Sequence, residues 1–306
     1  MTGKSLYILI PVHNRKDLTR NCLLSLQRQT VQNFKIIVID DGSTDGTGEM
    51  IQKEFPEVVL LQGDGNLWWT GATNLGVKYA LDHRADYIMT LNDDTIAPQD
   101  FIEKMMFWTE RKQNALLGAF ALDAQTRKPV YGGEIINWKT AGSKFLLDIL
   151  KPEEWRGLHE VSHSPGRGLL IPAEVFHKIG LFDAKHFPQA AADYDFTHRA
   201  VRAGYKLYCD YDAKLLIYPD ASGDAQLRKK KSLRNYYYHL FGIKGGGNLK
   251  RFMLYAFRNC PRKYLALYLS IGILRRVSGY LLDWFLENLK VSFHYKVKRP
   301  EQHECP

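Results

Sequence analysis

Cysteine is scarce in this 306-residue chain, and Cys22, Cys209, Cys260 and Cys305 stand far apart with no C-x-x-C spacing. That argues against a disulfide framework and against a zinc ribbon or finger. Neither G-x-G-x-x-G nor a Walker sequence occurs, so no glycine-rich phosphate loop is available to cradle a nucleotide. Long apolar runs are missing as well: residues 264–274 are interrupted by Arg275-Arg276, too early for a spanning helix. The run from Leu6 to Val12 is too short for a signal-peptide core and lacks a small-residue cleavage site, which predicts a cytosolic protein. There is no internal repeat and no low-complexity tract. Acidic residues, finally, are nearly absent from one end. Residues 226–306 hold 17 Lys/Arg against 4 Asp/Glu, whereas residues 1–225 hold 25 against 29. The net charge of +9 is therefore a property of the C-terminal quarter, which suits contact with an anionic surface or ligand.

What is present describes an ordinary globular protein, 45% hydrophobic and 25% charged, long enough for one large α/β domain and an appendage. Strand-like runs at 6–11, 34–39, 58–61 and 87–91 alternate with helical spacing over 17–29, 45–54 and 70–83. Such βαβαβαβ alternation, with strands apolar on both faces, predicts a parallel sheet covered by helices on both sides. From 116 to about 136 the pattern is strand-like with glycine punctuation, and 139–164 carries no assignable pattern. A second unit begins at Gly166: a strand over 169–171, a helix opened by Pro172 and closed by Gly180, then a helix over 194–203 stopped by Gly204. Residues 220–232 read as a linker. The expected organisation is an α/β domain over 1–225, with a first half to about 115 and a second half from 116, followed by a helical, basic and aromatic region over 226–306.

In open parallel sheets, ligands bind outside the carboxyl ends of the strands. The four strands of the first half end in Pro11-Val12-His13-Asn14, Asp40-Asp41-Gly42-Ser43, Gly63-Asp64-Gly65-Asn66 and Asn92-Asp93-Asp94. The second of these is a common turn and helix-cap composition, and equally a carboxylate placed to accept from a nucleoside. The last is more telling. Two adjacent carboxylates at the end of a buried strand repel one another and lose solvation, a cost that a cation relieves. Mg2+ or Mn2+ takes one or two carboxylates together with diphosphate oxygens.

The order of these segments resembles that of family 2 glycosyltransferases. I-P-V-H-N, D-D-G-S-T-D-G-T, N-L-W-W-T-G-A-T-N-L-G-V and L-N-D-D-T are similar to the successive motifs of the donor half. G-R-G-L-L-I-P, I-G-L-F-D and A-D-Y-D-F-T-H-R-A-V-R-A-G-Y-K are similar to those of the acceptor half, and the likeness covers roughly residues 5–220. The resemblance implies a GT-A fold, Rossmann-like with a mostly parallel sheet, and an inverting reaction on a nucleotide-sugar donor. By matching position it implies Asp41 at the nucleobase with Pro11 and Val12 lining the base pocket, and Asp93 with Asp94 as the D-x-D-type pair, Asp94 nearest the metal. Asn14, Asn66, Trp69, Gly71 and Asn74 fall in the donor-side motifs. Asp193 matches the catalytic base, although Ala192 stands where the family often has glutamate.

A base at the start of a helix is favoured in its ionised form by the helix dipole, which predicts a modest pKa for Asp193. Asp195 reads as a helix cap, and Arg199 and Arg202 as a charged helix face. Trp68 and Trp69 read as a wall of the sugar pocket or as packing; Arg167, between two glycines, reads as reaching a diphosphate or acceptor, or as solvated. UDP is the default donor nucleotide, with dTDP-rhamnose a competitor because N-L-W-W-T-G resembles rhamnosyltransferase-like members. The basic, aromatic tail fits peripheral contact with the inner face of the cell membrane better than nucleic acid. The expected acceptor is a saccharide or lipid-linked saccharide in cell-surface polysaccharide synthesis. A nucleotidyltransferase and a sugar-nucleotide binding module without catalysis are the alternatives.

Overall fold

The computed structural model of the chain describes residues 3–221 and 232–297. Its first half is the expected alternation: β1 (Leu6–Val12), α1 (Lys16–Gln27), β2 (Phe34–Asp40), α2 (Thr47–Glu54), β3 (Val59–Gln62), α3 (Trp68–Asp82) and β4 (Tyr87–Thr90). Short β5 (Thr95–Ile96), α4 (Phe101–Phe107) and the nine-residue β6 (Ala115–Asp123) lead into β7 (Pro129–Tyr131), β8 (Glu134–Asn137), β9 (Gly142–Phe145) and β10 (Leu158–Glu160). There follow β11 (Leu169–Pro172), α5 (Ala173–Ile179), α6 (Ala192–Arg202) and β12 (Lys206–Ile217), then α7 (Leu233–Phe241), α8 (Leu249–Asn259) and α9 (Leu265–Val297).

The main sheet runs β10-β12-β6-β11-β4-β1-β2-β3. Its first half, β4-β1-β2-β3, is entirely parallel, and among the described residues antiparallel pairing enters this sheet only through β11 and the short strands β5, β7 and β10. Alternate residues of β1 feed two cores on opposite faces: Leu6, Ile8 and Ile10 pack with Cys22, Leu23 and Leu26 of α1, while Tyr7 and Leu9 pack with Ala72 and Val77 of α3. Burying both faces is what makes these strands continuously apolar. Pro172 precedes α5, and Gly180 and Gly204, after α5 and α6, both take positive φ, as a chain leaving a helix there requires.

Two features depart from expectation. The unpatterned stretch 139–164 contains β9 and β10, and β12, twelve residues long and paired with β6 in parallel, has no counterpart in the sequence-based reading. Arg275-Arg276 interrupts the apolar run beyond Tyr264 but does not end the helix. Arginine is a good helix former, and here the Arg276 guanidinium lies 3.7 Å from the centre of the Phe252 ring and donates to the Gly272 carbonyl. Residues Arg262–Leu286 form a helix long and apolar enough to cross a membrane, by length and composition.

The C-terminal helices pack on the α/β domain. Tyr255 of α8 joins the core that covers one sheet face, and Phe252 stacks on Tyr268 of α9. The expected linker lies mostly outside the described residues.

Candidate active site

Parallel register brings three strand ends to one edge, since Val12 pairs with Asp40 and Leu9 with Thr90. Val12 is buried and Pro11 half-buried at the end of β1. Asn14 follows in a left-handed conformation, φ +53, and ties that end to the next loop: its amide donates to Ser43 Oγ at 2.8 Å, and its Oδ1 accepts from Thr44 N–H at 2.7 Å. Asp41 is 5% exposed and accepts three backbone N–H groups, from Gly65 (2.9 Å) and Leu67 (3.2 Å) on Oδ1 and from Trp68 (2.9 Å) on Oδ2. It therefore pegs the 63–68 loop and the start of α3, where Trp68 adopts φ +56. A carboxylate accepts about four hydrogen bonds, so roughly one acceptor position of Asp41 remains open. Asn66 is exposed in that loop, its amide bonded to Asp64. Gly71 packs on Leu67, and Asn74 brackets the Phe182 backbone from both sides, at 2.8 and 3.1 Å. Asn74 thus ties the two halves of the domain together, and neither Gly71 nor Asn74 lines the cavity described below.

Asp93 and Asp94 follow β4, 3% and 8% exposed. Arg15, just beyond β1, bridges them: Nη1 lies 2.8 Å from Asp93 Oδ1, and Nη2 lies 3.1 Å from Asp94 Oδ2 while also donating to the Ala221 carbonyl. Burial pushes the Asp93 carboxyl up to about 7 against the pull of Arg15, with Asp94 adding repulsion. Asp93 Oδ2 is buried without a partner. Among the described residues no third acidic, histidine or cysteine side chain joins the pair to make a protein-only metal cage. Two carboxylates and one orphaned oxygen nevertheless fit Mg2+ or Mn2+ of the kind that draws its remaining ligands from a diphosphate and water.

Asp193 sits in the first turn of α6. Its Oδ2 accepts the Gly166 N–H at 2.9 Å, and its Oδ1 accepts the N–H of Tyr194 at 2.9 Å. Burial raises its pKa above the usual carboxylate range, and these two N–H groups only partly counter it. The modest pKa expected from the helix dipole is thus corrected: desolvation outweighs the dipole. Beside it, Gly166 has no room for a side chain, because a Cβ there would lie 2.4 Å from Trp69 Cζ2. Trp69 in turn donates from Nε1 to Asn92 Oδ1 at 3.1 Å and meets Phe182 edge-on. A cavity of about 640 Å³ joins Trp69, Asn92, Gly166 and Asp193 to Tyr255 and Arg251 of the C-terminal region. Its deeper wall carries Glu134, 2.8 Å from His163 Nε2 and accepting from the Tyr194 hydroxyl. Burial works against ionisation of Glu134, but the His163 and Tyr194 contacts hold its pKa below the usual value.

Asp195 does not cap α6. Fully buried, it accepts from Arg199 Nε at 3.0 Å and from Asn259 Nδ2 at 3.1 Å, so it anchors α8. Arg199 also donates to the Ile179 and Leu181 carbonyls, and Arg202 to Asn259 Oδ1; the expected charged face is a bracket between segments. Sequence expectations missed Arg15, Glu134, His163, Arg251 and Arg276. Only Arg15 had a signal, its place directly after the first strand-end motif.

The sequence profile described as Glycosyl transferase family 2 matches residues 7–159. A glycosyltransferase of Rickettsia typhi, RT0329, is 30% identical over 209 residues, 67% of this chain and 61% of that protein. The poly(ribitol-phosphate) beta-glucosyltransferase of Bacillus spizizenii is 32% identical over 118 residues, 36% of this chain and 18% of that one. The chain thus spans less than two thirds of the length of either relative. Among solved structures, residues 1–349 of Staphylococcus aureus TarS superpose with a TM-score of 0.57 at 12% identity, covering 92% of both chains. The shared architecture is the GT-A fold.

Proposed function

Because the chain belongs to glycosyl transferase family 2, we propose that it is an inverting, metal-dependent transferase acting on a UDP-sugar or dTDP-rhamnose. Its acceptor is a hydroxyl of a saccharide or lipid-linked saccharide in cell-surface polysaccharide synthesis. One observation carries this reading: a partly buried carboxylate, Asp193, lines a cavity together with Asn92, the residue that precedes the ion-paired Asp93 and Asp94.

Inversion requires one in-line displacement and no enzyme nucleophile. The acceptor oxygen forms a bond to the anomeric carbon as the bond from that carbon to the diphosphate oxygen breaks, and the hydroxyl proton passes to Asp193. The Gly166 N–H fixes Oδ2, leaving the carboxylate one orientation, and its raised pKa makes it a better base than an exposed aspartate. Trp69 offers an aromatic wall to the apolar face of a sugar, held in place by Asn92. Asp93 and Asp94 would hold Mg2+ or Mn2+, which when bound neutralises charge on the leaving nucleoside diphosphate.

Cell-surface polysaccharide as the product class is supported by the poly(ribitol-phosphate) beta-glucosyltransferase relative. Contact with an anionic leaflet at the inner face of the membrane is supported by the C-terminal helices, which leave Leu233, Phe241, Phe257, Leu274 and Phe285 more than half exposed beside their basic residues. The test is nucleotide release from a panel of UDP-sugars and dTDP-rhamnose with manganese, repeated with chelator. Release from one or a few donors that chelator abolishes is expected; no release from any donor would overturn the reading.

A further inference from the structure

The cavity beside Asp193 is walled by three guanidinium groups that no carboxylate neutralises. Arg167 lies in the loop before β11, Arg251 on α8 and Arg276 on α9, and all three line the same space. Among the described residues none of them forms an ion pair. Arg251 is 8% exposed, and among the described residues its side chain donates only to the Ile243 carbonyl. Arg276 donates to the Gly272 carbonyl at 3.2 Å and rests on the Phe252 ring, with its Nε buried and unpartnered. The Nε of Arg167 is likewise buried without a partner.

Two carboxylates share this wall, one fewer than the arginines, and neither is paired with a guanidinium group among the described residues. Glu134 is engaged by His163 and by the Tyr194 hydroxyl, and Asp193 by two backbone N–H groups. Buried cations without counter-charge are costly, and arginine forks match the oxygens of a phosphate. The donor diphosphate has its own place, since Asp93, Asp94 and Arg15 do not line this cavity. A second anion is therefore called for on the acceptor side of Asp193.

We infer that this cavity binds a phosphoryl group carried by the acceptor, held between Arg167, Arg251 and Arg276 while the acceptor hydroxyl meets Asp193. The inference rests on the transferase reading above and narrows its acceptor to phosphorylated compounds. The α8 and α9 helices thereby become part of the acceptor site.

The probe is sn-glycerol 3-phosphate, titrated into the full-length chain by calorimetry, with glycerol as the uncharged control and vesicles containing phosphatidylglycerol as a second arm. Saturable binding of glycerol phosphate and none of glycerol is expected, weakened at least fivefold in Arg251→Gln and in Arg276→Gln. Arg167→Gln, in a loop, provides a third variant should the helical ones fail to fold, and UDP affinity with manganese reports the fold of each. Weakening on the soluble probe assigns the phosphate to a saccharide or polyol phosphate; weakening on vesicles alone assigns it to a lipid headgroup, and either supports the pocket. Binding to neither probe, binding unchanged in every folded variant, or full displacement of glycerol phosphate by UDP with manganese would overturn it. Nucleotide release by the unmodified chain is measured alongside. If it is absent from every donor the transferase reading fails, whereas release with no phosphate binding sinks only the acceptor assignment.

Discussion

Replacing Gly166 by alanine adds a single methyl group at the point where the candidate base and the indole wall meet. That carbon would lie 2.4 and 2.5 Å from Cζ2 and Cη2 of Trp69. Unstrained carbon contacts sit at about 3.5–4.0 Å, so roughly 1 Å must be found by moving one partner. The indole resists, because its Nε1 is bonded to Asn92, the Trp69 N–H donates to Gln189 Oε1 at 3.0 Å, and its ring is set against Phe182. The Gly166 backbone resists as well, since its N–H holds Asp193 Oδ2 at 2.9 Å. Whichever yields, a catalytic element shifts by a fraction of an ångström to 1 Å. Misplacement on that scale costs about 100-fold in rate, and overpacking costs about 1–3 kcal/mol in stability. The assay is the turnover number at saturating donor together with thermal melting, for Gly166→Ala and for Gly166→Ala combined with Trp69→Phe. The smaller ring removes the overlapping atoms, so the double variant should recover part of the loss. Full activity and an unchanged melting temperature in Gly166→Ala would refute this packing argument.

Asp94→Asn should abolish the manganese dependence of UDP binding measured by calorimetry, because one carboxylate is too little anionic ligand against a diphosphate; unchanged dependence removes the metal from this pair. Asp195→Asn should act on stability instead. It weakens the buried partner of Arg199 and Asn259 at a cost of about 3 kcal/mol, a fall in melting temperature of roughly 5–10 °C, while the turnover number of the folded protein stays within about threefold. A stable but inactive Asp195→Asn would mean that the base is two residues further on. Full-length protein should sediment with anionic vesicles and keep part of that binding in high salt, each basic side chain near the surface adding about 1 kcal/mol and the apolar faces a salt-insensitive remainder. Complete release by salt would contradict contact through the apolar side chains.

Much of the nucleotide half is legible in the chain because β1, β2 and β4 are buried on both faces and read as apolar runs, each ending abruptly in polar residues. β12 is harder to see. Asp210 and Asp212 break its apolar pattern, and Asp210 is nonetheless fully buried in the sheet. Pairing across 78 residues, as between Arg15 and Asp93, leaves no periodic trace, so the place of Arg15 after the first strand-end motif marks it as near the site without naming its partner. Arg251 and Arg276 carry no such mark. Charged residues on amphipathic helices normally face water, and only the tertiary packing of α8 and α9 turns these two toward a cavity. Arg275-Arg276 interrupts the apolar pattern without ending the helix, since arginine is a good helix former.

The central claim is that Asp193 takes the proton of the acceptor hydroxyl, and the most direct measurement compares Asp193→Asn with the unmodified chain in sugar transfer and in UDP binding with manganese. Transfer should fall by roughly two to four orders of magnitude with UDP affinity unchanged. The kcat/KM of the unmodified chain should rise with pH along an acid limb placed above the ordinary carboxylate range, because the base must be ionised and burial raises its pKa. Transfer within about tenfold of the unmodified chain in a folded Asp193→Asn that still binds UDP would contradict the account.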